Sequence, residues 1–89
     1  MKKKIVIICK YERWCVNWFN DMLRYLATVV YDGNKSLIVV NKRNRCICLP
    51  EKEITFISES QRNNYLRGRW IDQIVEWDGD DINILWDLI

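Results

Sequence analysis

Four cysteines are the side chains with the most versatile chemistry in this sequence: Cys9, Cys15, Cys46 and Cys48. In a small chain, an even number of cysteines is compatible with two disulfides or with a Cys₄ zinc site. Cys46 and Cys48 alternate with Ile47 in a segment typical of a strand, so their side chains should share one face, and this spacing is not the usual zinc pattern Cys-x₂₋₄-Cys. We therefore interpret all four as reduced thiols that pack as small hydrophobic side chains, and we predict no metal ligands.

The groups that most enzymes need are missing. Histidine is absent from all 89 residues, which removes the usual general base and every histidine-dependent triad. Cys9 lies beside Lys10, but within a segment predicted to be a buried strand, where a thiol is unreactive. The three glycines are scattered singly, so there is no glycine-rich phosphate loop. We predict that the protein has no catalytic residues and uses no cofactor.

Charge is segregated along the chain and defines two candidate binding surfaces. All 14 Lys and Arg residues lie within residues 1–71, whereas residues 72–89 contain six acids and no base. Arginine and lysine bind phosphates, and an exposed Trp can stack on a base. Residues of these types in two predicted loops form the candidate basic surface: Lys42, Arg43, Arg45, Arg67, Arg69 and Trp70. An ordered row of carboxylates could instead occupy the nucleic-acid groove of a partner protein, with carboxylates in place of phosphates. The residues of this candidate acidic surface are Glu76, Asp78, Asp80 and Asp81. The alternative for the basic surface is that its arginines are merely solvated and Trp70 is half-buried, and the alternative for the acidic surface is a solvated C-terminal turn.

The elements that would position these residues are those of a small α/β domain. At 89 residues, the chain is long enough for one domain, which we predict over residues 1–89. A β-branched run over 4–10 is typical of a strand buried on both faces. Apolar residues at helical spacing then predict one long amphipathic helix over about 11–26, with Trp14 and Trp18 on its apolar face.

Shorter segments complete the predicted order β-α-β-β-β-β-α-β-α around a central sheet. Their composition predicts further strands over 28–31, 36–40, 46–49, 54–57 and 73–77. Short helices are predicted near 59–67, where Gly68 is well placed to end the helix, and near 82–88, where a strand is the alternative. Because apolar runs stop at about six residues, we predict no membrane span. The apolar stretch that follows Lys4 is too short for a signal peptide, so we also predict an intracellular protein.

The segment Leu66–Asp78, with the sequence LRGRWIDQIVEWD, resembles the neighbourhood of the Walker B element in the P-loop ATPase domain of phage terminase large subunits. Ile5–Arg13 and the strand Ile54–Ile57 are similar to that family more loosely. The Walker A loop with its Lys and Ser/Thr is missing, and Trp77 stands where the first Walker B acid would be. The resemblance therefore implies a degenerate ATPase fold without activity, from a bacteriophage or other mobile element, acting in the cytoplasm of a bacterial host.

These features favour a non-enzymatic accessory protein that binds and inhibits a host nucleic-acid-handling machine, such as an anti-CRISPR or other anti-defence protein. Its partner would be a protein, a nucleic-acid-processing enzyme, bound by contact alone. The alternative is a direct DNA- or RNA-binding module that uses the basic surface in packaging or transcription. The oligomeric state is left open.

Overall fold

A five-stranded mixed sheet is the centre of the fold in the computed structural model, which describes residues 2–30 and 37–77. Its strands are β1 (Lys3–Cys9), β2 (Val39–Asn41), β3 (Cys46–Cys48), β4 (Lys52–Ser58) and β5 (Gln73–Trp77). They lie in the order β2-β3-β4-β1-β5. β1 runs parallel to β4 and β5, whereas β2, β3 and β4 pair antiparallel. This sheet, with helices on it, confirms the predicted α/β class.

β1 is buried because helical segments cover the sheet on both sides. Every residue from Ile5 to Cys9 is almost completely buried. The parallel register pairs Ile5 with Ile54 and Ile7 with Phe56, so apolar side chains of neighbouring strands lie side by side. A continuous apolar run, rather than an alternating one, is what a strand in this position requires.

The helix α1 (Glu12–Tyr25) covers one face of the sheet. Its buried side chains, Cys15, Phe19 and Met22, recur at helical spacing and pack against β1 and β4. Phe19 meets Phe56 edge to face, with ring centroids 6.2 Å apart. The long amphipathic helix predicted over about 11–26 is therefore confirmed.

The strand predicted over 28–31 is wrong, because residues 26–30 continue α1 as one wider π-helical turn. Leu26 follows Met22 on the same apolar face and is completely buried. The Thr28 hydroxyl donates a hydrogen bond of 2.8 Å to the carbonyl oxygen of Arg24, four residues earlier. Packing of Leu26 thus outweighs the preference of the β-branched residues after it for a strand. The last residue of that prediction lies outside the described residues.

The helix α2 (Arg62–Leu66) lies on the opposite face and follows a 3₁₀ turn at Glu59–Gln61. This pair of turns matches the short helix predicted near 59–67. Tyr65, Leu66 and Ile71 pack against Val6, Ile8 and Ile57 of β1 and β4. β3 and the beginning of β4 line a groove on this face instead.

Among the other predicted strands, β5 has the predicted bounds 73–77, β4 is longer than the predicted 54–57, and β3 is one residue shorter than the predicted 46–49. β2 begins at Val39, three residues after the predicted start, and the predicted helix near 82–88 lies outside the described residues. None of the described helices is long and apolar enough to cross a membrane.

Candidate functional site

A groove lies on the α2 face of the sheet, between the turn that joins β2 to β3 and the helix α2. Its main cavity has a volume of about 530 Å³, and it shares Glu53, Thr55, Tyr65 and Arg69 with a second cavity of about 270 Å³. The charged residues that line the two cavities are one acid and four bases: Glu53, Lys4, Arg43, Arg45 and Arg69. We call this pair of cavities the basic groove.

Aromatic side chains stand beside the arginines of the basic groove. The guanidinium carbon of Arg69 lies 4.3 Å from the centroid of the Tyr65 ring, which holds Arg69 in a cation–π contact. Trp70 lines the second cavity and is 80% exposed. A large aromatic residue left in solvent next to a charged groove marks a candidate contact for a planar ligand.

A tight turn after α2 places Arg69 and Trp70. The N–H of Arg69 donates to the carbonyl oxygen of Leu66 at 3.3 Å, which closes a four-residue turn. Arg67 has φ −65° and ψ 120°, and Gly68 has φ 73°, as the two central positions of a type II turn require. Gly68 therefore ends this helical segment, as predicted, because glycine adopts a positive φ without steric cost.

Replacing Gly68 with alanine should destabilise the protein by about 1 kcal/mol, since a Cβ atom is strained at positive φ. Apart from Gly68 and its two neighbours in the chain, no residue has an atom within 4 Å of the position that this Cβ would occupy, so the cost arises from the backbone alone. Urea unfolding measures the change. Gly68→Asn is the matched control and should cost less, because asparagine tolerates the left-handed region. Equal losses in the two variants would contradict this explanation of the turn.

The turn between β2 and β3 carries the other basic residues. Asn44 donates its N–H to the Asn41 side-chain oxygen at 3.2 Å, and the N–H of Arg45 donates to the carbonyl oxygen of Lys42 at 3.4 Å. Lys42 and Arg43 are exposed at the tip of this turn. Arg43 faces the groove as one of its lining residues.

Arg45, a residue of the predicted basic surface, lines the main cavity but is not a free cation. Its guanidinium forms an ion pair with the Glu12 carboxylate at the start of α1. The backbone of Arg45 has φ 50°, and its carbonyl oxygen accepts a hydrogen bond from the N–H of Phe56 at 3.0 Å. Arg45 therefore ties the turn to α1 and β4, and it contributes less charge to the groove than Arg43 and Arg69.

The remaining residues of the predicted basic surface divide between the groove and its surroundings. Arg43 and Arg69 line the main cavity, and Trp70 lines the second. Lys42 and Arg67 are exposed in the two turns, next to these lining residues in the chain. The structure thus brings two basic turns, separated by more than twenty residues, to one groove.

The predicted acidic surface is described at only one of its four positions. Glu76 on β5 forms an ion pair with Arg62 of α2, and Arg62 also contacts Glu59 at 3.4 Å. The hydrogen bond from Arg62 to Glu76 raises the pKa of the Arg62 guanidinium. Asp78, Asp80 and Asp81 lie outside the described residues.

All four cysteines are free thiols, and they form two pairs. Cys9 and Cys15 are completely buried between β1 and α1. The hydrogen bond between these two thiols raises the pKa of Cys9 and lowers that of Cys15. Cys46 and Cys48 share one face of β3, as predicted, with their sulfur atoms 3.8 Å apart. Burial raises the pKa of Cys46 to about 12.

In the native protein, a thiol reagent such as Ellman's reagent should label Cys48 rapidly and the other three cysteines slowly. Cys48 is half-buried, whereas Cys9, Cys15 and Cys46 are buried, and a buried thiol must wait for the chain to open. Release of thionitrobenzoate should show a rapid phase equal to a single thiol per chain. Cys48→Ser should remove that phase, and its persistence in this variant would show that another cysteine is accessible.

Several residues of the groove were not singled out by sequence reasoning. Tyr65 and Asn64 belong to α2, and Asn44 belongs to the β2–β3 turn. Glu53 pairs with Cys48 in the antiparallel ladder, which places it beside both thiols of β3. The pairing of strands brings these residues together, and a single sequence carries no direct signal for that register.

Comparisons of the chain with known protein families, with curated proteins and with solved structures found no match in any of the three.

Proposed function

We propose that the protein is a non-enzymatic binding module and that its basic groove takes single-stranded nucleic acid. One observation carries this proposal: Arg43 and Arg69, from two turns far apart in the chain, line one groove together with Tyr65. Trp70 stands exposed in the adjoining cavity. A positively charged groove with aromatic side chains is how many proteins hold a single strand, because the arginines pair with phosphates and the rings stack on bases.

A single strand suits this groove better than a duplex. In a duplex, the base faces are stacked on one another and are not free to contact the exposed ring of Trp70. An unpaired base also exposes its hydrogen-bonding edge, and the groove offers amide side chains that can donate to or accept from such an edge. These amides are Asn44 and Asn64, whereas the side-chain oxygens of Asn41 and Gln61 already accept hydrogen bonds from the N–H groups of Asn44 and Ser58.

The test is fluorescence anisotropy of a labelled single-stranded oligonucleotide, DNA and RNA in turn, titrated with the purified protein. The binding constant should fall as the salt concentration rises. In a plot of the logarithm of the binding constant against the logarithm of the salt concentration, the slope should be about −0.7 for each phosphate contacted, so two arginines give about −1.4. A duplex of the same sequence should bind more weakly. Absence of binding to either single strand at low salt would overturn the proposal.

The interpretation as an inhibitor of a host nuclease depends on the acidic surface, and it stays a prediction. The same holds for the terminase resemblance, the phage setting and the bacterial cytoplasm. An inhibitor of this kind should bind no oligonucleotide, should bind a nuclease directly, and should lose that partner when Asp80 is changed to lysine. The nucleic-acid-binding hypothesis and the nuclease-inhibitor hypothesis thus make opposite predictions for the oligonucleotide titration.

A further inference from the structure

One cluster of potential metal ligands lies within the groove, and the proposed function makes no use of it. Cys46, Cys48 and Glu53 each offer one ligand atom, and the three atoms lie within 4.8 Å of one another. The two sulfur atoms are 3.8 Å apart, and the Cys46 sulfur is 3.3 Å from a carboxylate oxygen of Glu53. All three side chains line the main cavity.

Two of the three distances between ligand atoms are close to the edges of a zinc coordination tetrahedron, and the third, from the Cys48 sulfur to the Glu53 oxygen, is at most 4.8 Å. With Zn–S bonds of about 2.3 Å and Zn–O bonds of about 2.1 Å, tetrahedral angles place two sulfurs about 3.8 Å apart and a sulfur about 3.6 Å from an oxygen. The sulfur–sulfur distance already has this value, and the sulfur–oxygen distance needs to lengthen by a few tenths of an ångström. Rotation of the Glu53 side chain moves its carboxylate oxygen relative to both sulfurs, so it adjusts this edge and the third one together.

The backbone holds the three ligands on one hairpin, which β3 and β4 form. Cys48 is the direct cross-strand partner of Glu53, and Cys46 is the partner of Thr55, so all four side chains project from the same face of β3 and β4. A hydrogen bond of 2.7 Å from the N–H of Leu49 to the carbonyl oxygen of Lys52 closes the hairpin. Thr55 stands beside Cys46 as its direct cross-strand partner, where an outer partner of a metal ligand would lie.

We propose that Cys46, Cys48 and Glu53 form a three-ligand site for a zinc ion, with a fourth position that faces the groove. Thiolate ligands favour Zn²⁺ over the hard divalent cations. Three protein ligands leave one position of the tetrahedron for water or for a ligand atom that enters the groove. On binding, each thiol releases its proton to solvent, and the two new negative charges balance the charge of the ion.

The charge of the groove is therefore the same with and without the ion. For this reason, zinc binding and nucleic-acid binding can be tested separately, and failure of one leaves the other standing. The proposal concerns only the α2 face of the β3–β4 hairpin. The pair Cys9 and Cys15, buried on the α1 face, serves as an internal comparison in the same chain.

The test uses the full chain, treated with a chelator, freed of the chelator and titrated with Co²⁺ as a spectroscopic substitute for zinc. One equivalent of Co²⁺ should produce an intense sulfur-to-metal charge-transfer band and the visible bands of a four-coordinate ion. One equivalent of Zn²⁺ should then remove both. No such band at one equivalent, or a band that Zn²⁺ leaves unchanged, would overturn the proposal.

Variants assign the ligands. Cys48→Ser is the primary variant, because this side chain is only half-buried and its loss should leave the fold intact, as circular dichroism can verify. It should weaken Co²⁺ binding by about tenfold or more, since changing even an outer partner of a metal ligand costs about that much. Glu53→Gln should weaken binding by a similar factor and keep the charge-transfer band at saturation.

The double variant with Cys46→Ser and Cys48→Ser still contains Cys9 and Cys15. It should nevertheless lose the sulfur-to-metal charge-transfer band. A band of full intensity in this double variant would place the metal on the other thiol pair and would contradict the assignment. Unchanged affinity in either Cys48→Ser or Glu53→Gln would contradict it as well.

Discussion

Changing Arg43 and Arg69 together to glutamate should reduce the affinity for a single-stranded oligonucleotide by roughly a hundredfold or more. Each hydrogen bond to a charged group contributes about 1.5–3 kcal/mol, and both arginines line the main cavity of the basic groove. The glutamates would also repel the phosphates. Fluorescence anisotropy at low salt measures the loss, and the salt dependence of the variant should be shallower than that of the natural chain.

The matched control reverses the charge of two arginines that lie on the other face of the sheet. Arg13 and Arg24 are exposed on α1, so the double change to glutamate alters the net charge of the chain equally. Binding that depends on the groove should be almost unaffected by this control. Equal losses in the two double variants would mean that overall charge, rather than the groove, attracts the oligonucleotide.

Replacing Phe56 with alanine should destabilise the fold by about 3–5 kcal/mol, because it removes an aromatic ring from the core and leaves a cavity. Phe56 is 1% exposed, lies in β4 between β1 and β3, and packs edge to face on Phe19. A domain of this size is stable by only about 5–15 kcal/mol. Much of that margin should disappear, and urea unfolding should show a midpoint at far lower concentration.

Val39→Ala is the control for the loss of an apolar side chain. Val39 lies on the edge strand β2 and is 62% exposed, so its truncation should cost less than about 1 kcal/mol. A cost below about 1 kcal/mol for Phe56→Ala would contradict the position of the core between α1 and the sheet.

The elements that bury a continuous or periodic apolar pattern could be predicted from the sequence. β1 and α1 are examples, since a β-branched run and an apolar stripe at helical spacing each correspond to one structure. The short strand predicted over 28–31 failed because its β-branched residues follow Leu26, whose burial extends the helix. Local preference was weaker there than packing across the sheet.

The candidate site was predictable only in part. The basic character of the two turns is visible in the chain, but the contact between them depends on the order of the strands. Arg45 illustrates the limit: it has the same charge as Arg43, yet it turns toward Glu12, thirty-three residues earlier. Glu53 approaches the thiols of β3 through a cross-strand register that no local pattern records.

A nuclear magnetic resonance titration tests the central claim most directly. Amide shifts of the isotope-labelled chain would be followed as an unlabelled single-stranded oligonucleotide is added. Shifts should concentrate in residues 41–46 and 64–70, which carry the two basic turns of the groove, and α1 should be largely unaffected. Shifts confined to α1 or to the segment from Glu76 onward, or no shifts at low salt, would contradict the proposal that the groove binds nucleic acid.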